Sequence, residues 1–298
     1  MRHRISSYSR AAGAMGVLLA LFVLTTAAGA APANINVVAA ENFYGNIVSQ
    51  LGGDRVKVTS ILSDPNVDPH EYESSVQDAQ AIAAADLVIE NSGGYDDWMD
   101  KLLSAGTSAK RVLLKGYDIA PTKLPDNEHV WYNADNVQAI AAAVTGSLKK
   151  IDPADSALFA KNLQAFGQSL DRIREKIAQL NARWKGTPVG LTETIFLYQA
   201  APLGLSVLTP FEFQKAIAEG NDPPADSVVA AESQVKGKKV KVLIYNEQTI
   251  SPITTRLQEE AKAAGIPVVP VTETMPSALS YQNWMLSQLA VLERALGK

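Results

Sequence analysis

The chain has no cysteine among its 298 residues. That excludes disulfides, thiolate metal sites and thiol nucleophiles. It also excludes the lipid-bearing cysteine that would tether an exported protein to a membrane face. Histidine is nearly as scarce, with three residues, one of them His3. Long apolar runs are missing. Met15–Leu24 is about ten residues, too short for a helix that crosses a bilayer, which argues against a membrane anchor. No His-Glu-x-x-His, Gly-x-Ser-x-Gly or Gly-x-x-x-x-Gly-Lys-Ser/Thr motif occurs, so the common hydrolase and phosphate-cradling signatures are absent. An excess of positive charge is absent as well. Lys and Arg number 27 against 31 Asp and Glu. This argues against nucleic acid as a partner, which calls for a basic footprint.

What is present begins with an export signal over residues 1–30. Arg2, His3, Arg4 and Arg10 form a basic start, the short apolar run follows, and Ala28-Gly29-Ala30 supplies the small residues read by a signal peptidase. A mature chain beginning near Ala31 keeps 24 basic and 31 acidic residues, a net charge of −7. The expected location is the periplasm of a double-membraned bacterium.

Strand and helix patterns alternate. Ile35–Ala40, Val56–Leu62, Leu87–Ile89 and Arg111–Leu114 read as strands. Asn42–Leu51, Ser74–Ala85 and Asn136–Leu148 carry helical spacing. Such alternation implies parallel βαβ units. Asp152-Pro153, a cap residue before proline, opens a seam of Phe159, Leu163, Phe166, Leu170, Ile173, Ile177, Leu180 and Trp184 at spacings of three and four. One helix of about 48 Å is implied at roughly 1.5 Å per residue, long enough to lie across two lobes. A coiled-coil dimer is the competing explanation. Beyond it Val189–Thr192, Lys239–Tyr245 and Pro267–Thr272 read as strands, and Ile253–Ala264 and Tyr281–Leu296 as helices. The expected fold is α/β: an N-terminal lobe over 31–150, a connecting helix over 151–185 and a C-terminal lobe over 186–298, each lobe Rossmann-like with a parallel sheet. Neither lobe shows a sequence repeat of the other.

Ligands of open α/β sheets bind beyond the carboxyl ends of the strands. The second strand leads to His70, in Asp68-Pro69-His70-Glu71-Tyr72-Glu73, and the fourth to His129, in Asn127-Glu128-His129-Val130-Trp131-Tyr132. In the second lobe, strands end at Glu193 and Glu273. If the lobes face one another, two imidazoles meet two carboxylates. Nitrogen and oxygen donors without sulfur suit Mn(II), Zn(II) or Fe(II), and two carboxylates neutralise a divalent ion. Each residue has a plain alternative as a solvated histidine or a capping carboxylate. Glu71, Glu73 and Glu247 are further carboxylate candidates.

These segments resemble the substrate-binding proteins of bacterial ABC transporters for zinc, manganese and iron. The resemblance runs from about Ile35 to the C-terminus. Asp68–Glu73 is similar to the family's first ligand segment, and Glu128-His129-Val130-Trp131 to the second. Glu193-Thr194-Ile195-Phe196-Leu197-Tyr198 is similar to the third, and Glu273 before Ser280-Tyr281 to the fourth. The resemblance implies metal ligands at His70, His129, Glu193 and Glu273, with one divalent ion as cargo. It also implies a monomer, a membrane permease as partner and no catalytic residues. Zinc members usually carry histidine where Glu193 stands, and many insert a His-rich loop that this chain lacks, so the expectation tilts toward Mn(II) or Fe(II). Glu273 replaces the usual aspartate. The competing functions are a binding protein for an organic or metal-chelate ligand, which a ring of aromatics around the cleft would favour, and a metal-dependent hydrolase.

Overall fold

The computed structural model describes residues 34–64, 67, 72–106 and 108–298, with isolated residues 1 and 3. The export-signal reading, His70 and Glu71 lie outside the described residues. Contacts divide the chain after Pro32, and residues from Ala33 onward form one unit.

In the first half β1 (Ile35–Glu41), α1 (Asn42–Gly52), β2 (Val56–Leu62), α2 (Val76–Ala83), β3 (Leu87–Glu90), α3 (Trp98–Ala105), β4 (Val112–Lys115), α4 (Gly116–Ile119) and α5 (Ala134–Ile151) follow in order. Then comes α6 (Ser156–Trp184), and after it β5 (Pro188–Leu191), α7 (Leu197–Leu203), β6 (Ser206–Val207), α8 (Phe211–Ala218), α9 (Ala225–Lys236), β7 (Val242–Asn246), α10 (Pro252–Ala263), β8 (Val268–Val271) and α11 (Tyr281–Leu296). The two sheets run β2-β1-β3-β4 and β6-β5-β7-β8, and every pairing is parallel. The order is the same in both. The chain leaves the first strand for one side and returns to the other, so each sheet has a switch point between its first and third strands. Crevices for ligands open there. β1 is buried at all but one position, as expected of a parallel strand covered on both faces.

The predicted long seam is present. Asp152 caps a short 3-10 turn over Pro153–Asp155 by accepting from the Ala154 N–H, and α6 continues for 29 residues. All eight seam residues pack in one core. This helix touches α1 and α5 of the first lobe and α7 and α11 of the second. Its apolar stripe is therefore covered from within the chain, as a bridging helix requires.

That core is continuous between the lobes. Phe43 of α1 stacks on Trp131 at 4.6 Å and on Trp284 of α11 at 6.0 Å. Paired bonds reinforce it: the Asn42 side chain donates to the Met275 carbonyl at 2.6 Å and accepts from its N–H at 3.0 Å. Tyr281 donates to the Trp131 carbonyl at 2.7 Å. Among the described residues no helix is long and apolar enough to cross a membrane.

Candidate metal centre

His129 sits where the loop after α4 turns into a 3-10 segment over Val130–Tyr132. It is fully buried. Asn127 organises it. The Asn127 Oδ1 accepts the His129 backbone N–H at 3.0 Å and lies 3.0 Å from Nδ1 of the ring. An amide oxygen can only accept, so Nδ1 carries the proton and Nε2 presents its lone pair. The Asn127 amide in turn donates to the Thr194 carbonyl at 2.8 Å, next to Glu193 in the other lobe. Tyr95 and Trp131 pack edge-on against the imidazole, with centroids 6.0 and 5.2 Å away. These aromatics are buried around the His129 ring rather than arrayed as an open ring.

Glu193 follows β5, and Glu273 follows β8. Both are buried. A ring nitrogen of His129 and one carboxylate oxygen from each of Glu193 and Glu273 lie within 4.8 Å of one another. Three of the four residues singled out in the sequence thus converge, and they come from both lobes. The fourth, His70, lies outside the described residues. Gln248 reaches toward that loop: its amide donates to the Val67 carbonyl at 3.0 Å. Its oxygen accepts the backbone N–H groups of Glu273 and Thr274 at 2.7 and 3.0 Å. Among the described residues Glu247 is exposed and accepts from the Tyr245 hydroxyl at 3.5 Å, because it stands one step beyond the buried Asn246 at the end of β7. Glu73 is exposed too.

Other groups around the cluster carried no spacing signal. The Glu128 carboxylate lies 4.0 Å from His129 Nε2. Thr249 Oγ1 donates to Glu193 Oε2 at 3.0 Å, and Asn246 donates to Glu273 Oε1. The Tyr95 hydroxyl has its pKa pushed well above the usual phenol value by burial and by the neighbouring charges of Glu273 and Glu41. Glu41, at the carboxyl end of β1, has its pKa raised well above the usual carboxylate range by burial and by Asp96 beside it. Glu90, at the end of β3, is pushed up to about 7 by burial against the pull of Lys115. Applying the strand-end rule to β1 and β3 as well would have found Glu41 and Glu90.

A buried imidazole and two buried carboxylates within reach of a single point form a site that a cation stabilises. Bringing two like charges together away from water is costly unless a proton or a positive ion joins them. The donor set is nitrogen and oxygen only, which suits a borderline divalent ion.

Comparison with known proteins places the fold. The periplasmic zinc-binding protein TroA of Treponema pallidum superposes with a TM-score of 0.76 at 17% identity, over 88% of this chain and 99% of that one. The Pseudomonas aeruginosa protein FpvC, in complex with Mn2+, gives 0.73 at 20% identity, over 89% and 98%. In sequence the manganese-binding lipoprotein MntA of Halalkalibacterium halodurans is 28% identical over 151 residues, 48% of each chain. The iron ABC transporter substrate-binding lipoprotein MtsA of Streptococcus pyogenes is 24% identical over 177 residues, 53% of this chain and 57% of that one. The alignments thus span about half the length of these curated relatives. The family described as zinc-uptake complex component A, periplasmic, matches residues 37–295, and the chain belongs to it.

Proposed function

We propose that this protein captures one divalent transition metal ion, manganese, zinc or iron, between its lobes and delivers it to the membrane permease of an ABC transporter. His129, Glu193 and Glu273 supply three ligand atoms, and His70 the fourth. The observation that carries this reading is the convergence of the first three within 4.8 Å from opposite lobes. Relatives named for manganese and iron support the cargo class. The reading includes a monomer that works in the periplasm after cleavage near Ala31, without a lipid anchor, since the chain has no cysteine. It also includes the division into lobes over 31–150 and 186–298 around the helix region 151–185. The task is binding and release, so no residue is assigned a catalytic role.

Calorimetric titration of the metal-free protein with Mn(II) and Zn(II) tests the proposal. One ion per chain is expected, with the affinity lost in a His129→Ala, Glu193→Gln double variant. Absence of binding by the unaltered protein, or full binding by the double variant, overturns it.

A further inference from the structure

Two neutral side chains hold the carboxylates from behind. Asn246, the last residue of β7, is buried. Its orientation is fixed because its Oδ1 accepts the Gln248 backbone N–H at 3.1 Å. Its Nδ2 therefore donates, to Glu273 Oε1 and to Thr249 Oγ1 at 2.8 Å. Thr249, having accepted one bond, gives its own hydrogen to Glu193 Oε2 at 3.0 Å. One amide thus governs one oxygen on each of the two carboxylates. Neither Asn246 nor Thr249 is charged, so they fix geometry without neutralising either group.

We propose that Asn246 and Thr249 set the metal preference of the site: they restrain Glu193 and Glu273 to bind an ion through one oxygen each, and so favour four-coordinate Zn(II) over Mn(II). This rests on the assignment of His129, Glu193 and Glu273 as ligands. A carboxylate that chelates with both oxygens must turn the hydrogen-bonded one toward the ion. Doing so here breaks a bond to the buried Asn246 amide or the half-buried Thr249 hydroxyl and leaves that donor unsatisfied. With single-oxygen carboxylates, His129, Glu193 and Glu273 supply three donor atoms. A donor count that low suits the tetrahedral habit of zinc, whereas manganese favours six, mostly oxygen. Glutamate at position 193 hardens the site, which favours manganese. It adds a donor atom only if its second oxygen can swing in, and Thr249 opposes that swing. Partners behind the ligands commonly change metal affinity by about 10–100-fold.

The test is competition titration with Mn(II) and Zn(II) on the full mature chain, carrying Thr249→Val and, separately, Thr249→Ser. Valine keeps the shape and removes the donor. Serine keeps the donor. Thr249→Val is expected to raise the manganese-to-zinc affinity ratio by about tenfold, with X-ray absorption showing an added oxygen around bound Mn(II). Thr249→Ser is expected to leave the ratio within about twofold. If valine lowers the yield of folded protein, Thr249→Ala removes the same hydroxyl and carries the same expectation. A ratio unchanged in the donor-less variant, or shifted equally by serine, overturns the proposal. Failure of the ligand assignment has a different signature: His129→Ala would then bind both metals as the unaltered protein does.

Discussion

At the scale of single residues, Asn127 is the least conspicuous and most consequential side chain near the cluster. It selects the His129 tautomer, and it ties that histidine to the Thr194 carbonyl across the cleft. Removing it deletes the acceptor that keeps the proton on Nδ1 and the lone pair on Nε2. Asn127→Ala is expected to weaken metal binding by about 10–100-fold, as read by competition titration, while the far-ultraviolet circular dichroism stays unchanged. Glu41 makes a different prediction. Its carboxyl pKa is raised well above the usual range by burial and by the Asp96 carboxylate, with Glu90 adding to the shift. Its pKa is raised above the unfolded value, so its contribution to stability is full below the ordinary carboxylate range. That contribution is lost as pH rises through the folded value. Glu41→Gln keeps the shape and never ionises. It should raise the melting temperature at pH 8 by about 2 °C, corresponding to about 1 kcal/mol, and leave it nearly unchanged at pH 4. Equal shifts at both pH values would show that the side chain's packing, not its charge, is responsible.

At the scale of elements, α6 is the member whose loss is felt everywhere, because it contacts helices of both lobes. Leu170 lies fully buried at its middle. Leu170→Ala deletes buried apolar volume that the surrounding helices cannot fill, and should cost about 3 kcal/mol, read as a lowered urea midpoint with an unchanged slope. This helix was plain in the sequence, since a 29-residue amphipathic stripe repeats its signal many times. So were β1 and α11, and the strand-end rule singled out His129, Glu193 and Glu273, which the fold brings within 4.8 Å of one another. The stretch from 197 to 236 was not legible. α7 is seven residues with Pro202 inside it, β6 is two residues, and α8 and α9 open after prolines without a capping side chain. Asn246, Thr249 and Asn127 were hidden for another reason: a neutral hydrogen-bond donor has no periodicity and no charge to mark it. The common strand order of the two sheets was equally hidden, because topology repeats here without any repeat of side chains.

At the scale of the whole molecule, the lobes are joined by more than a helix. Tyr132 of the first lobe donates to the Thr272 carbonyl at 2.6 Å, and Tyr198 of the second donates to the Asn127 carbonyl at 3.0 Å. Both bonds lead directly to residues beside the cluster, Thr272 to Glu273 and Asn127 to His129. An ion held by His129 on one side and by Glu193 and Glu273 on the other would load the same seam in parallel with these bonds. It would bind the folded chain and have no such site in the unfolded one. Stabilisation by such a ligand follows RT ln(1 + [L]/Kd), about 4 kcal/mol when free metal is a thousandfold above Kd. Divided by the unfolding entropy of a chain this long, that is a rise in melting temperature of about 7 °C. Scanning calorimetry with saturating Zn(II), and again with chelator, should show that difference. Glu273→Gln should shrink it, because the variant removes one charge from one side of the seam while keeping the Asn246 contact. Coincident melting curves would mean that the ion does not bridge the lobes.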